Sequence, residues 1–279
     1  MGTQGSRLKN LIVTADDFGI SKEVNDAVES AHMNGILTTT SLMVSEAFAD
    51  DAVKRTAMMP NLGVGLHVAL SRARPTSPPS AIPDLIDKNG LLRSDLVGAG
   101  FRFFFLPHVR KQLEIEITAQ FEAFAKTGLG LDHVNAHNHL HLHPTVLSLI
   151  LKIGKQHGMK SVRLPIDPNT KGFGAASLKP WLALMKSRLR KHGIKHNDVL
   201  LGLGETGSLN TKTLISMING LSSQTAELMC HPATGPWADM DPKAKNFRHD
   251  LEFKALIDEE TLNAIYENSV MLCAYRDIE

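Results

Sequence analysis

The segment DHVNAHNHLHLHP, residues 132 to 144, holds five of the chain's thirteen histidines. His137, His139 and His141 alternate, so on an extended strand they would share one face. Neutral imidazole is a good ligand for Zn2+ and other borderline ions. Such a tract can also be an exposed metal-scavenging stretch, but this one follows an apolar strand-like run, and at least one of the three is expected to ligate. His133 and His143 extend the cluster.

A second candidate is the carboxylate pair Asp16-Asp17 in ADDFG. One carboxylate can hold a metal while its neighbour faces the reacting water. The competing reading is a helix-entry pair serving the macrodipole of the helix that follows. The third is His67 in GVGLHVAL, an imidazole inside an apolar run. A satisfied core histidine is the commoner outcome there, and Gly63 and Gly65 would permit close backbone approach in either case. One carboxylate with two histidines makes a facial ligand set that leaves coordination positions open. That set serves hydrolytic metals and non-haem Fe(II) oxygenases alike. The spare carboxylate discriminates, because hydrolysis needs a general base beside the attacking water, and Asp16 can supply it.

These residues need elements to bring them together. Short apolar, β-branched runs alternate with helical patterns, the signature of βα units. Strands are expected at 11–15, 37–44, 63–70, 131–136, 161–164, 199–203, 226–230 and 270–274, with no repeat and no linker. Ser21 is placed to cap a helix whose apolar stripe is Val24, Ala27, Val28 and Ala31, stopping at Gly35. Pro107 opens a long amphipathic helix, and Pro-rich residues 71 to about 106 read as an insertion loop. The simplest architecture is an α/β fold over residues 1–279, a single (β/α) barrel that can be distorted or incomplete. On that reading Asp16-Asp17, His67, His137 and His231 all fall at strand ends, where barrels of parallel strands build their sites.

Read together and in order, ADDFGIS, TTTSLM, GLH, HNHLH and LMCHP resemble the YdjC-type carbohydrate deacetylases over most of the chain. EVNDAVESAH, FFFLPHVRKQLEIEI and DHVNAHNHLHLHPTV are similar to the branch associated with hopanoid lipid biosynthesis. The resemblance implies a barrel of the glycoside hydrolase/deacetylase kind that hydrolyses an N-acetyl group from an amino sugar, with one divalent ion, Mg2+ or Zn2+. It implies Asp17, His67 and His137 as metal ligands and Asp16 as the base. His139 and His141 become substrate-side candidates, and Arg163 matches an arginine that orients a carboxylate. At RLPIDP the chain has Asp167 where a glutamate is expected. A protonated imidazole must donate to the leaving amine; His231 is the first candidate and His139 the second.

Composition narrows the remaining choices. With 30 basic and 29 acidic residues the net charge is +1, which gives no electrostatic ground for nucleic acid as a partner. Two cysteines and no signal-type apolar segment at the start fit a reducing cytoplasm. Residues 101–106, FRFFFL, read as core or as an apolar rim for a lipid-linked sugar, with Phe103 and Phe104 as substrate contacts. GLGETGSLN, 202–210, lacks the lysine of a phosphate loop and reads as a βα loop near the substrate. The expected partner is a small-molecule or lipid-linked amino sugar, with peripheral membrane contact and a homodimer both compatible. The alternatives are a chitooligosaccharide deacetylase, an Fe(II) oxygenase that leaves Asp16 idle, and a non-catalytic metal-binding component of a lipid-biosynthesis complex.

Overall fold

A computed structural model describes residues 9–167, 173–222, 225–242 and 244–278. Seven strands form one parallel sheet: β1 (Lys9–Phe18), β2 (Thr39–Leu42), β3 (Gly63–Val68), β4 (Val134–Ala136), β5 (Val199–Leu201), β6 (Thr225–Cys230) and β7 (Val270–Leu272). Six run in the order β4-β3-β2-β1-β6-β5, and β7 pairs with β1. Parallel strands need crossovers, and here these are helical. The helices are α1 (Lys22–Asn34), α2 (Ala49–Thr56), α3 (Leu96–Phe105), α4 (Pro107–Lys126), α5 (Pro144–Gln156), α6 (Phe173–Lys191), α7 (Thr211–Asn219), α8 (His249–Ile257) and α9 (Glu259–Glu267). No described helix is long and apolar enough to cross a membrane.

The α/β class holds, but the described strands make a half-barrel rather than a complete barrel of eight. The difference lies at 161–164, where the expected strand is reduced to single bridges, Val134 with Val162 and Ser161 with Lys195. A side chain takes the place of a ladder neighbour. Leu164 N–H donates to Asn197 Oδ1 (2.7 Å), and Asn197 Nδ2 donates to the Leu164 carbonyl (2.9 Å). On this side the Leu164 backbone is satisfied by a side chain, while β4 pairs the segment on the other through Val134.

The insertion is more ordered than a loop. A short 3-10 turn at Pro79–Ala81, an antiparallel bridge between Ile86 and Leu92, and α3 occupy it. Buried Glu116 of α4 fastens its start by accepting from Thr76 N–H (2.8 Å) and Ser77 N–H (2.9 Å). Ile82, Leu85, Leu92, Ala99 and Phe103 give it a core of its own, continuous with the main one.

Two details shape the end of the sheet that matters. The β1–β2 register runs Thr14–Thr39, Ala15–Thr40, then Phe18–Leu42, so β1 carries one extra residue at Asp16-Asp17. A bulge bends the strand and re-aims side chains that pleating would send to opposite faces. After β4, residues His137–Leu142 form a kinked 3-10 turn, with Asn138 and His139 at φ 54 and 53. The alternating histidines therefore do not share a strand face, contrary to the expectation for extended backbone.

Candidate metal centre

Three elements deliver three donor atoms to one point. Asp17, at φ 66 in the β1 bulge, directs Oδ1 toward His67 Nε2 (3.2 Å) and His137 Nδ1 (3.1 Å). The two ring nitrogens are 3.3 Å apart. Ligands about 2.0–2.2 Å from a shared ion stand about 3.0–3.4 Å from each other, so this spacing fits a metal. It is the one His/Cys/Asp/Glu group among the described residues with ligand atoms so close together.

The hydrogen bonding around His67 points the same way. Its Nδ1 lies 2.7 Å from Asn135 Oδ1 and 2.9 Å from Ser41 Oγ, while Ser41 Oγ and Asn135 Nδ2 both donate to Asp16 Oδ1 (2.9 Å each). With its proton on Nδ1, His67 turns the Nε2 lone pair toward the Asp17 carboxylate, an acceptor facing an acceptor. A cation between them resolves the conflict, and the outer partners fix the tautomer that binds it.

Asp16 is buried and held from the other side. Arg163 donates NH1 to Oδ2 (2.6 Å) and NH2 to Oδ1 (2.9 Å), a bidentate clamp. Arg163 is itself buried and also donates Nε (3.0 Å) and NH2 (2.8 Å) to Glu227 Oε1. Glu227, buried in β6, further accepts from Thr14 Oγ1 (2.7 Å) and, at Oε2, from Tyr275 OH (2.5 Å). One buried cation thus serves two buried carboxylates, with neutral donors completing them, which is the condition for tolerating such charges.

Burial pushes the Asp16 carboxyl up, but Arg163 and His67 outweigh it and hold Asp16 well below the usual range. Burial likewise pushes the Asp17 carboxyl up, and His137 outweighs it and holds Asp17 well below the usual range. Burial pushes the His137 ring down, while the Asp17 carboxylate overrides it and raises it. Burial and the Arg163 cation push His139 down to about 3, so its ring is a neutral imidazole at neutral pH. Burial and His139 hold His141 well below its ordinary value.

The remaining sequence candidates divide. His231 follows β6 in a loop fastened at both backbone groups: its N–H donates to Glu252 Oε2 (2.6 Å), and its carbonyl accepts from His249 Nδ1 (2.6 Å). It lies close enough to Asp16 and His139 to act on both electrostatically, so it belongs to this side of the molecule. His139 stays partly exposed, but His141 is fully buried beside it (ring centroids 5.9 Å), so His141 is corrected from substrate contact to interior neighbour. Phe103 is corrected too: it is 2% exposed and packs against the His143 ring. Phe104 of α3 is exposed but also lies against the His143 ring. Asp167 bears on Glu205 of the Gly-rich loop: burial and the Asp167 charge raise Glu205, so a second carboxylate does stand near that position.

Ser41, Asn135, Glu227 and Tyr275 escaped the sequence reading. A signal existed for two of them, since Glu227 is the one charge in TAELMC and Asn135 the one amide in VNA.

The model of the family described as YdjC-like protein matches residues 10–267. A carbohydrate deacetylase of Geobacillus stearothermophilus is 32% identical over 274 residues, spanning 95% of this chain and 96% of the relative. A second, from Thermoanaerobacter pseudethanolicus, is 27% identical over 268 residues and spans 96% and 98%. A chitooligosaccharide deacetylase of Proteus mirabilis is 28% identical over 275 residues, also spanning 96% and 98%. Among solved structures, an Enterococcus faecalis V583 protein described as a candidate cellobiose-phosphate cleavage protein superposes with a TM-score of 0.74 at 23% identity, covering 96% of this chain and 98% of that one. That likeness concerns the fold alone.

Proposed function

The chain belongs to the YdjC-like protein family, and we propose that it is a metal-dependent hydrolase removing the N-acetyl group of an amino sugar. The observation that carries the reading is the meeting of Asp17 Oδ1, His67 Nε2 and His137 Nδ1 within 3.3 Å beside an Asp16 clamped by Arg163. The deacetylase names of the relatives support it.

Asp17, His67 and His137 would hold one divalent ion, Mg2+ or Zn2+. Such an ion supplies Lewis acidity to the acetyl carbonyl and lowers the pKa of water. Asp16 is the base. Its Oδ1 already accepts from Ser41, Asn135 and Arg163, whereas Oδ2 accepts from Arg163 alone. A lone pair therefore remains on Oδ2 for the proton of the attacking water. Arg163 keeps that oxygen aimed and the carboxylate ionised. His231 donates the proton that the departing amine requires, from a loop that Glu252 and His249 hold in place.

Within this class the substrate we propose is a lipid-linked N-acetylglucosamine of the hopanoid kind. The similarity of EVNDAVESAH and FFFLPHVRKQLEIEI to the hopanoid-associated branch supports an apolar aglycone. The name of the Proteus relative supports chitooligosaccharide as the second reading. The test is acetate release from N-acetylglucosaminyl hopanoid and from chitobiose, before and after chelation and with Mg2+ or Zn2+ restored. Metal-restored release from either substrate is expected, with the larger kcat/KM on the hopanoid. No release from any N-acetylated sugar would sink the hydrolase reading, and a preference for chitobiose would remove only the lipid-linked substrate.

A further inference from the structure

Helix α3 is apolar on two faces, and one of them is left largely uncovered by the described residues. Ala99 and Phe103 point inward and are buried. Val97, Phe101, Phe104 and Phe105 recur at helical spacing on the other side, exposed by 87, 62, 47 and 56%. The Phe101 and Phe105 rings lie 4.6 Å apart, and Phe104 meets Phe105 at 4.9 Å, so the stripe is one continuous aromatic ridge. A surface helix of a water-soluble domain normally turns polar residues outward. Exposed aromatics in such a cluster mark a contact.

The surrounding charge says what kind of contact. Between Asp95, which caps α3 by accepting from Gly98 N–H, and Glu114, the chain has Arg102, Arg110 and Lys111 and no carboxylate, although the whole chain is nearly neutral. Arg110 is tied to the ridge by donating NH2 to the Phe104 carbonyl (2.6 Å). With exposed Lys111 it lines a cleft of about 400 Å³ beside Phe104, whose far wall is Pro144, Thr145 and Leu149 at the start of α5. Glu114, also on that cleft, is already paired with Lys152 (2.5 Å). An aromatic ridge rimmed by cations is complementary to a bilayer surface bearing anionic headgroups, rings among the acyl chains and cations at the phosphates.

We propose that α3 docks this protein on anionic membranes, with Phe101, Phe104 and Phe105 inserted and Arg110 and Lys111 against lipid phosphate. His143 links this surface to the candidate metal centre. It accepts both ring contacts from α3, its Nε2 lies 3.0 Å from the Gly100 carbonyl, and it follows the turn that begins at His137. Docking would thus set the catalytic end of the sheet near the lipid.

The test is co-sedimentation of the full chain with vesicles of phosphatidylcholine alone or mixed with phosphatidylglycerol. It is read without substrate, so its outcome is independent of the hydrolase reading. Binding is expected on the mixed vesicles only and should weaken as salt rises. Phe101→Ser/Phe105→Ser and, separately, Arg110→Ser/Lys111→Ser should each weaken it about tenfold or more. Both pairs lie at the surface, so melting temperatures should stay at the wild-type value and certify the fold. No binding to any vesicle, or binding that both variants retain, overturns the proposal. So does a wild-type dimer in the absence of vesicles that Phe101→Ser/Phe105→Ser abolishes, since a second copy would then be the occupant.

Discussion

Asp16 and Asp17 are adjacent, both buried enough to feel the same imidazoles, and still differently placed. Asp17 faces two ring nitrogens, and Asp16 faces a guanidinium. The bulge separates their roles, so their substitutions should separate as well. Asp17→Asn should weaken metal binding by more than about 100-fold, since loss of an outer partner alone costs about 10- to 100-fold. Asp16→Asn should retain the metal and lower kcat by about 10²- to 10⁴-fold, as for a lost general base. Metal titration with parallel rate measurements decides, and the opposite pattern would reverse the two assignments. The pair Asp16-Asp17, His67 and the run His137, His139 and His141 were legible in the sequence as candidates because they interrupt or end apolar runs, whereas the choice of Asp17 and His137 among them came from a resemblance. Arg163 was legible only through a resemblance. The placement of His139 and His141 was not, because no glycine announces the positive φ at Asn138 and His139 that turns the chain away from a strand. Tyr275 was hidden for another reason: its partner Glu227 is distant in sequence, and no local pattern links them.

Helices and strands were read more securely than side-chain partners. The stripe Val24, Ala27, Val28 and Ala31 is buried in α1, and Ser21 caps it as expected, accepting from Val24 N–H at 3.2 Å. Where the element reading failed, a side chain had replaced backbone pairing, as Asn197 does for Leu164. Helix α3 was ambiguous because FRFFFL has no polar side to orient it. The structure divides it, and stability measurements should show the division. Phe103→Ala, which empties a core position, should cost about 3–5 kcal/mol. Phe101→Ala, at the surface, should stay within about 0.5 kcal/mol. Denaturant midpoints compared at constant m-value will check this, and equal losses at the two positions would contradict the inward and outward faces described.

The whole sheet is closed upon residues far apart in the chain. Asp132, just before β4, accepts from Tyr275 N–H (3.3 Å) and Arg276 N–H (3.1 Å), and its own neighbour His133 stacks on the Tyr275 ring at 4.7 Å. Gly65 of β3 makes room for this, since a Cβ there would meet the His133 ring at 2.6 Å. Burial pushes the Asp132 carboxyl up, but His133 and the Arg276 N–H outweigh it and hold it low. A carboxyl lowered on folding stabilises above its unfolded value, near ~3.9, and that contribution disappears as pH falls through the folded value. The wild-type melting temperature should therefore drop more steeply below about pH 4 than that of Asp132→Asn, and parallel curves would show that this contact is not linked to pH. The same long-range closure imposes an order of events during synthesis. Asp17, His67 and His137 all leave the ribosome before Arg163, so the three side chains are available while the guanidinium that clamps Asp16 is still to be translated. Strand β1 can pair with β2 at once but waits for β6 to cover its other edge. In that interval a nascent chain presents an open apolar strand, the kind of surface chaperones cover. A polypeptide stopped before Tyr275 would carry Asp17, His67 and His137 yet leave Glu227 Oε2 without the Tyr275 hydroxyl, so the buried network behind Asp16 is completed only after those three side chains are in place.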